Sequence, residues 1–423
     1  MKNFFKHTLF VFLAFRAGDF VNIASGMWFV PKYVSSEEIG GVLPITSFAT
    51  FLSLPIFALA MTVMKESSYL ATNGEKGKIK SLLSGVFNVT LSSIAVVLIC
   101  TAFLMPRFLK IININDYAVG FLVVSASFLG CVAPVWIDAL QSLKRFKALS
   151  IIEFSGSIVR FLTMIISMPI RPLAGYFLGQ ASLPAFKIIA GSIALKRDLS
   201  VKAEPFWNKE TVKRMGQTFI AILVYQSVPL FASMMEQTFL RTSLPTLDSA
   251  GFYMVSRFSD FLYYLTFPLL LVMFPYTASA AQKGESTTPY VLKCSAVTLI
   301  IATIISIIYT FSGSTLLNLL PNGEQYAIYA KYMSILILIT ALTSCQVFFT
   351  NAEVSAGRFK FLYWLIPLHL IYIFTLYFLI KKGVICTLSD MIISFAVISI
   401  LRFLFSAMEI IWYNVKKDSR GVI

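Results

Sequence analysis

Apolar stretches of about twenty residues recur along the whole chain, separated by short segments rich in charged and turn-forming residues. Twelve such stretches cover residues 8–30, 39–64, 82–105, 117–138, 148–169, 172–195, 215–241, 249–274, 290–312, 328–350, 361–380 and 390–413. Each is long enough to cross roughly 30 Å of hydrocarbon as an α-helix. The pattern predicts an all-α polytopic membrane protein with about 12 transmembrane helices.

The composition argues against a soluble enzyme. Hydrophobic residues make up 57% of the 423 positions and charged residues only 13%, against about 25% charged residues in soluble proteins. This chain has too few charged residues to cover the apolar surface that a soluble fold of this composition would expose. The net charge of +15 is explained better by the distribution of basic residues than by a nucleic-acid partner.

Basic residues cluster on one side of the predicted membrane. Of the 35 Lys and Arg residues, 21 fall in segments on one side, and the other side has 6: Lys32, Arg107, Lys110, Arg171, Lys381 and Lys382. Loops rich in Lys and Arg remain in the cytoplasm. With an even number of spans, the bias predicts a multi-pass membrane protein with both termini cytoplasmic.

The longest segment between spans divides the chain into two halves. It covers residues 196–214 and is expected to be a solvated cytoplasmic linker. The predicted organisation is an N-terminal six-helix lobe at 1–195 and a C-terminal six-helix lobe at 215–423. No segment between spans is long enough for a soluble catalytic domain.

Two short matches indicate that the halves are repeats. Arg145-Phe146-Lys147 aligns with Arg358-Phe359-Lys360 at an offset of 213, and Glu38-x-x-Gly41 aligns with Asp248-x-x-Gly251 at an offset of 210. The matched segments keep the same direction across the membrane, which is typical of a parallel repeat about the membrane normal. Chance similarity between Phe-rich helices is the alternative.

A duplicated six-plus-six bundle is typical of transporters whose halves rock about a site near the middle of the membrane. Pro44 and Pro55 in the second span, Pro229 in the seventh and Pro268 in the eighth are candidate bends for such motion. Ordinary tolerance of proline in membrane helices is the alternative.

Ionisable residues inside the spans are the candidate functional residues, because each is costly in the bilayer unless it is paired or faces water. Spacings of three or seven place four opposite-charge pairs each on one helix face: Arg16/Asp19, Glu153/Arg160, Arg257/Asp260 and Arg402/Glu409. Further ionisable residues lie in the sixth and seventh spans, namely Lys187, Glu236 and Arg241, and Asn22 continues the polar face of the first span.

Two interpretations of these charges are open. In the first, the carboxylate on the same helix neutralises each arginine, which then only packs inside the bundle. In the second, arginines line a water-filled cavity for an anionic headgroup, since a guanidinium binds two phosphate oxygens at once. Asp19 and Asp260 lie near the middle of their spans and are candidate H⁺ or Na⁺ coupling sites.

Four segments carry a resemblance to a known family: Glu37-Glu38-Ile39-Gly40, Ala250-Gly251-Phe252-Tyr253-x-x-x-Arg257, Phe274-Pro275 and Asn351-Ala352-x-x-x-Ala356-Gly357-Arg358. They resemble the polysaccharide transporters of the multidrug/oligosaccharidyl-lipid/polysaccharide (MOP) exporter superfamily, in particular the O-antigen (Wzx-type) flippases. The resemblance implies two six-helix lobes around a cavity lined chiefly by the first, second, seventh and eighth helices. It also implies an undecaprenyl-pyrophosphate-linked oligosaccharide as substrate.

The resemblance assigns candidate roles to the ionisable and polar residues. Substrate binding falls to residues on cavity-lining helices: Arg16, Asn22, Gln226, Arg241 and Arg257. Ion coupling falls to Asp19, Glu236 and Asp260. The remaining charges are expected to support the fold: Glu153, Arg160, Lys187, Arg402 and Glu409.

The predicted function is a flippase that moves the lipid-linked oligosaccharide to the outer leaflet by alternating access, coupled to H⁺ or Na⁺. The expected partners are this glycan, membrane lipids and other polysaccharide-assembly membrane proteins, without nucleic acid, metal or cofactor. The main alternative is a cation-coupled exporter of amphipathic drugs from the same superfamily. A membrane enzyme that uses intramembrane carboxylates as acid and base is the third possibility.

Overall fold

The computed structural model describes residues 2–114, 116–143, 145–196, 198–282, 285–356 and 358–418, and every regular element within these ranges is helical. The elements are α1 (Lys2–Tyr33), α2 (Ser36–Leu52), α3 (Leu54–Thr72), α4 (Lys76–Ile111), α5 (Tyr117–Val132), α6 (Pro134–Ser142), α7 (Phe146–Ser167), α8 (Pro172–Leu195), α9 (Lys209–Ser243), α10 (Thr246–Gln282), α11 (Thr288–Asn318), a 3₁₀ helix (Gly323–Tyr332), α12 (Met333–Ser355), α13 (Leu362–Lys381) and α14 (Leu388–Asp418). Outside the described ranges lie four basic residues counted for topology and one glycine of the last family segment: Lys144, Arg197, Lys283, Arg420 and Gly357.

Every predicted span falls on a helix or on a pair of consecutive helices. Within the described residues, 9 helices are long and apolar enough to cross a membrane, or up to 10 if α2 and α3 form one bent span. The other two predicted spans coincide with α1 and α10, which have 32 and 37 residues and are also longer than a bilayer requires. The prediction of an all-α, multi-span membrane protein is confirmed.

The second predicted span contains a sharp bend. Helix α2 ends at Leu52, α3 begins at Leu54 with Pro55 in its first turn, and the two axes differ by 58°. Proline has no N–H to donate and is accommodated without loss in the first turn of a helix, which is where the break before α3 places Pro55. The predicted bend is confirmed at Pro55, whereas Pro44 lies within the continuous helix α2.

The remaining two candidate bends lie in helices without a break. Pro229 is inside α9, and α10 runs continuously through position 268. A proline in the middle of a membrane-length helix is therefore tolerated here, as proline commonly is in membrane helices. Sequence alone did not separate these positions from Pro55.

The first family segment forms the start of α2. The Ser35 hydroxyl accepts a hydrogen bond from the backbone N–H of Glu38 at 3.3 Å, and the Glu38 carboxylate accepts one from the backbone N–H of Ser35. This reciprocal arrangement is a capping box, which satisfies amides that have no partner within the helix. The acidic residues of Glu37-Glu38-Ile39-Gly40 thus fix where α2 begins.

The chain forms two compact units, residues 1–238 and 239–423. In the first, α1 packs on α7, and α8 packs on both α5 and α7. In the second, α12 packs on α10, α11 and α14, and the largest fully buried side chains include Tyr253, Tyr326 and Phe361. The division into six helices on each side of residues 196–214 stays a prediction.

The glycines matched between the two halves have equivalent surroundings in their own units. A Cβ at Gly41 would lie 2.2 Å from Cδ1 of Ile114, in the segment that leads into α5. A Cβ at Gly251 would lie 2.4 Å from Cδ2 of Tyr329, in the 3₁₀ helix that leads into α12. Helices α5 and α12 correspond to the fourth and tenth predicted spans, which a parallel repeat makes equivalent. Each glycine thus admits the same neighbouring segment, and this supports the repeat.

The predicted linker is anchored to the first unit rather than fully solvated. The side chain of Lys80 donates to the carbonyl of Val201 at 2.9 Å, and the Trp207 indole donates to the carbonyl of Ser81 at 3.1 Å. Phe206 is buried in the same hydrophobic core as Trp136. Residues 201–205 remain exposed. Phe206 and Trp207 therefore attach the segment to α4, a contact that its basic composition did not indicate.

Candidate functional site

Helices α1 and α7 meet along a polar stripe, which we call the α1–α7 seam and define by its residues: Arg16, Asp19, Asn22, Gly26, Glu153, Ser157 and Arg160. On each helix these residues are three or four positions apart, so they share one face. The Asn22 amide donates to the Ser157 hydroxyl at 3.1 Å. A Cβ at Gly18 would lie 2.8 Å from the same hydroxyl oxygen, so the two helices approach closely here.

Two ion pairs lie at one end of the seam. Arg16 Nη1 is 3.1 Å from Asp19 Oδ2 on α1, and Lys187 Nζ of α8 is 2.6 Å from Glu153 Oε2. The side chains of Arg16 and Asp19 are 23% and 26% exposed, and those of Lys187 and Glu153 are 18% and 13% exposed. Asp19 also interacts electrostatically with Glu153 and Lys187. The four charges therefore form one cluster, with Arg16 and Asp19 as its accessible part.

The expected pairing of Arg160 with Glu153 is wrong. Seven residues along a helix separate two positions by about 10 Å, so they share a face without direct contact, and Lys187 binds the carboxylate of Glu153 instead. Arg160 is only 9% exposed. Its Nε has no hydrogen-bond partner, and no ion pair includes the side chain, within the part of the chain that the structure describes.

In the second unit, Arg257 and Asp260 form the expected pair on α10. Arg257 Nη1 is 3.0 Å from Asp260 Oδ2, and their side chains are 30% and 41% exposed. The Arg257 guanidinium carbon also lies 5.0 Å from the centroid of the Tyr253 ring, which is within cation–π range. A carboxylate and an aromatic face therefore hold Arg257 in place while part of it stays accessible.

The three candidates on α9 differ in burial. Gln226 and Glu236 are half-buried, and Arg241 is buried in the last turn of the helix. A cation is favourable there, because the final carbonyl groups of a helix carry partial negative charge. The favourable interaction with the end of α9 therefore accounts structurally for a cation at position 241.

The expected pairing of Arg402 with Glu409 is also not found among the ion pairs of the described residues. The Glu409 carboxylate accepts a hydrogen bond from the indole N–H of Trp364 on α13. The seven-residue spacing again separates the two charges too far along α14. A different pair, Glu353 and Arg358 at 2.9 Å, lies nearby and was missed by the sequence analysis.

Sequence reasoning also missed Ser157, although its signal was present. Positions 153, 157 and 160 follow the four-then-three spacing of one helix face, and Ser157 links α7 to Asn22 of α1. Within the described ranges, no group of three or more His, Cys, Asp or Glu residues is placed to hold a metal ion. The candidate site is therefore a set of intramembrane charges.

Solved structures with the same fold are membrane transporters. A multidrug resistance MATE family transporter of the MOP superfamily, in an inward-facing conformation, superposes with a TM-score of 0.67 at 12% identity, covering 95% of this chain and 96% of that one. The lipid II flippase MurJ gives 0.65 at 13% identity over 96% and 87%. A MOP superfamily transporter from Pyrococcus furiosus gives 0.61 at 13% identity over 96% and 95%.

These likenesses define the fold, which is that of an all-α, multi-pass membrane protein. More particularly, the chain has the fold of the MOP superfamily, as the family segments predicted. No protein-family model matches the sequence, and a search of curated proteins finds no significant match.

Proposed function

We propose that the protein is a flippase that moves an undecaprenyl-pyrophosphate-linked oligosaccharide from the cytoplasmic to the outer leaflet of the bacterial inner membrane. The movement occurs by alternating access and is coupled to H⁺ or Na⁺. The MOP fold supports a transporter, and the lipid II flippase among the similar structures makes a lipid-linked substrate reasonable. Membrane proteins of polysaccharide assembly are the proposed partners.

The observation that carries the proposal is the charge balance of the α1–α7 seam. Arg16 and Arg160 of the seam, together with Lys187, contribute three positive charges against the two carboxylates of Asp19 and Glu153. When all five of these groups are ionised, they carry a net charge of +1, counted over the described residues of the seam and Lys187. Because an excess charge inside a membrane protein is costly, the seam favours an anionic ligand such as a phosphate.

The proposed roles follow from accessibility and chemistry. Arg16 and Arg257, both partly exposed, bind the pyrophosphate through the paired N–H groups of their guanidinium. Asn22, Gln226 and Arg241 are the further proposed substrate contacts. Ion coupling is assigned to three carboxylates that lie in the helices of the candidate site: Asp19, Glu236 and Asp260.

A cation-coupled exporter of amphipathic drugs is the second candidate function. The MATE transporter and the lipid II flippase superpose almost equally well, so the fold favours neither. Asp260, whose side chain is 41% exposed, is the kind of carboxylate that binds a cation. The positive excess of the seam favours the flippase over this alternative.

Deleting the gene separates the two candidates. We expect loss of the surface glycan and accumulation of its lipid-linked precursor, with unchanged susceptibility to amphipathic drugs. The plasmid-borne wild-type gene should restore export. A deletion strain that keeps its surface glycan but becomes drug-sensitive would contradict the flippase and favour the exporter.

Topology gives an independent prediction. With both termini cytoplasmic, a cysteine at Pro205, which is exposed in the linker, should react with a membrane-impermeant maleimide only after the cells are opened. Native Cys386 is exposed and belongs to a segment predicted to lie outside, so it serves as the matched control and should react in intact cells. The measurement is labelling of each single-cysteine variant. Labelling of position 205 in intact cells would show that the orientation is opposite to the predicted one.

A further inference from the structure

Arg160 is a buried cation without a counter-ion among the residues that the structure describes. It lies within α7, is only 9% exposed, and has no hydrogen-bond partner for its Nε among the described residues. The two carboxylates of the seam are bound to other cations, since Asp19 pairs with Arg16 and Glu153 with Lys187. An arginine in such surroundings is costly, so a purely structural role does not account for it.

The guanidinium of Arg160 lies against α1 at Gly26. A Cβ at Gly26 would be 4.0 Å from Nη2 of Arg160, and the described residues outside α1 place no other atom within 4 Å of that point. Helix α8 also packs closely against α7, because a Cβ at Gly179 would lie 2.3 Å from Met164 and 3.5 Å from the carbonyl oxygen of Arg160. The guanidinium therefore lies in the seam beside a residue of α1 that has no side chain.

A second polar group without a partner lies one turn away along α1. The Asn22 amide is hydrogen-bonded to Ser157 through Nδ2, while its buried Oδ1 has no partner among the described residues. The two ends of an amide are nearly indistinguishable in shape, so a rotated Asn22 could accept from Ser157 and donate to a ligand. Arg160 and Asn22 together supply the donors that a phosphate requires.

We propose that Arg160 is an anion-binding residue of the α1–α7 seam and that it binds the phosphate of a lipid headgroup. The inference rests on the proposed function, in which Arg16 binds the pyrophosphate of the substrate. From Arg16 to Gly26, which lies beside Arg160, α1 rises by about 15 Å, half the thickness of the hydrocarbon layer. The two arginines lie at different levels along the seam. Arg16 and Arg160 therefore bind the headgroup in succession as it moves along the seam.

The test uses the purified full-length protein in nanodiscs of phosphatidylcholine. Binding of farnesyl pyrophosphate is measured by thermophoresis, and that of inorganic pyrophosphate and phosphatidylglycerol in parallel, with farnesol as the uncharged probe. We expect Arg160→Gln to weaken binding of the phosphate-bearing lipids at least about tenfold and to leave farnesol unchanged. Arg160→Lys should recover part of the affinity, because an ammonium keeps the charge without the forked geometry.

Arg171→Gln is the matched control, because Arg171 is exposed and paired with Asp116 at 2.8 Å outside the seam; it should bind like wild type. Thermal unfolding is recorded for every variant. Since Arg160 forms no ion pair with any residue that the structure describes, Arg160→Gln should unfold no earlier than wild type, whereas a structural role would lower its Tm.

The possible results separate this inference from the proposed function. Unchanged affinities in Arg160→Gln, or no binding of any phosphate probe by wild type, would overturn the anion site. Arg160-dependent binding of phosphatidylglycerol without binding of farnesyl pyrophosphate would support the anion site and contradict the proposed substrate. Arg160-dependent binding of inorganic pyrophosphate alone would show a free-anion site and overturn the assignment to a lipid.

Discussion

Replacing Arg16 with alanine is expected to abolish or strongly reduce glycan export while leaving the protein in the membrane. The variant lacks the charge-assisted hydrogen bonds that Arg16 donates to the pyrophosphate. Each of these bonds contributes about 1.5–3 kcal/mol, so the loss of one weakens binding roughly 10- to 150-fold. Arg16→Lys should restore only part of the activity, since a single ammonium lacks the two-pronged geometry of the guanidinium. Export and membrane abundance are measured together in a deletion strain.

The decisive comparison is Arg16→Ala against the double variant Arg16→Ala/Asp19→Ala. Because Arg16 pairs with Asp19 at 3.1 Å, the single change also leaves a half-buried carboxylate without its counter-ion, and this alone impairs a protein. If Arg16 only neutralised Asp19, removing both would restore export. Full recovery in the double variant would end the proposed roles of Arg16 in substrate binding and of Asp19 in ion coupling, whereas continued loss would support at least one of these two roles.

Arg257 provides the equivalent comparison in the second unit. Arg257→Ala alone and together with Asp260→Ala should both lose export if Arg257 binds the pyrophosphate. Its contact with the Tyr253 ring means that Arg257→Lys keeps a cation–π interaction and little else of the geometry. If export recovers in only one of the two double variants, the arginine of the other double variant is the one that contacts the substrate.

The sequence predicted the helices because their length and apolarity are local properties. Each of the twelve predicted spans falls on a helix or on a pair of consecutive helices. The bend at Pro55 follows from the missing N–H of proline. The family segments predicted the fold correctly, although several of their residues are structural. Glu38 completes the capping box of α2 with Ser35, and Gly251 allows close approach of Tyr329.

Ion pairs were predictable only where helix geometry alone determines them. The pairs three residues apart, Arg16 with Asp19 and Arg257 with Asp260, are found in the structure. The pairs seven residues apart are not, because one face of a helix does not imply contact at that distance. The partner of Glu153 depends on which helix packs beside α7, and no local pattern places Lys187 there.

The ion pair between Lys187 and Glu153 leads to the largest expected effect on stability. Both side chains are mostly buried, at 18% and 13% exposure, and their charged atoms are 2.6 Å apart. Lys187→Met leaves the Glu153 carboxylate buried without a counter-ion, which costs about 3–5 kcal/mol for a buried pair. We expect a clear decrease in Tm for this variant in nanodiscs.

The double variant Lys187→Met/Glu153→Gln should regain most of the lost stability, since removing both charges of a buried pair is often neutral. Lys78→Met is the matched control. Its partner Glu75 lies at a similar distance of 3.0 Å, but both side chains are about one third exposed, and such pairs contribute only about 0–1 kcal/mol. If Lys187→Met instead unfolds at the wild-type temperature and loses export, the ammonium is not needed to neutralise Glu153. Lys187 would then join Arg16 and Arg160 as a cation that acts on the substrate.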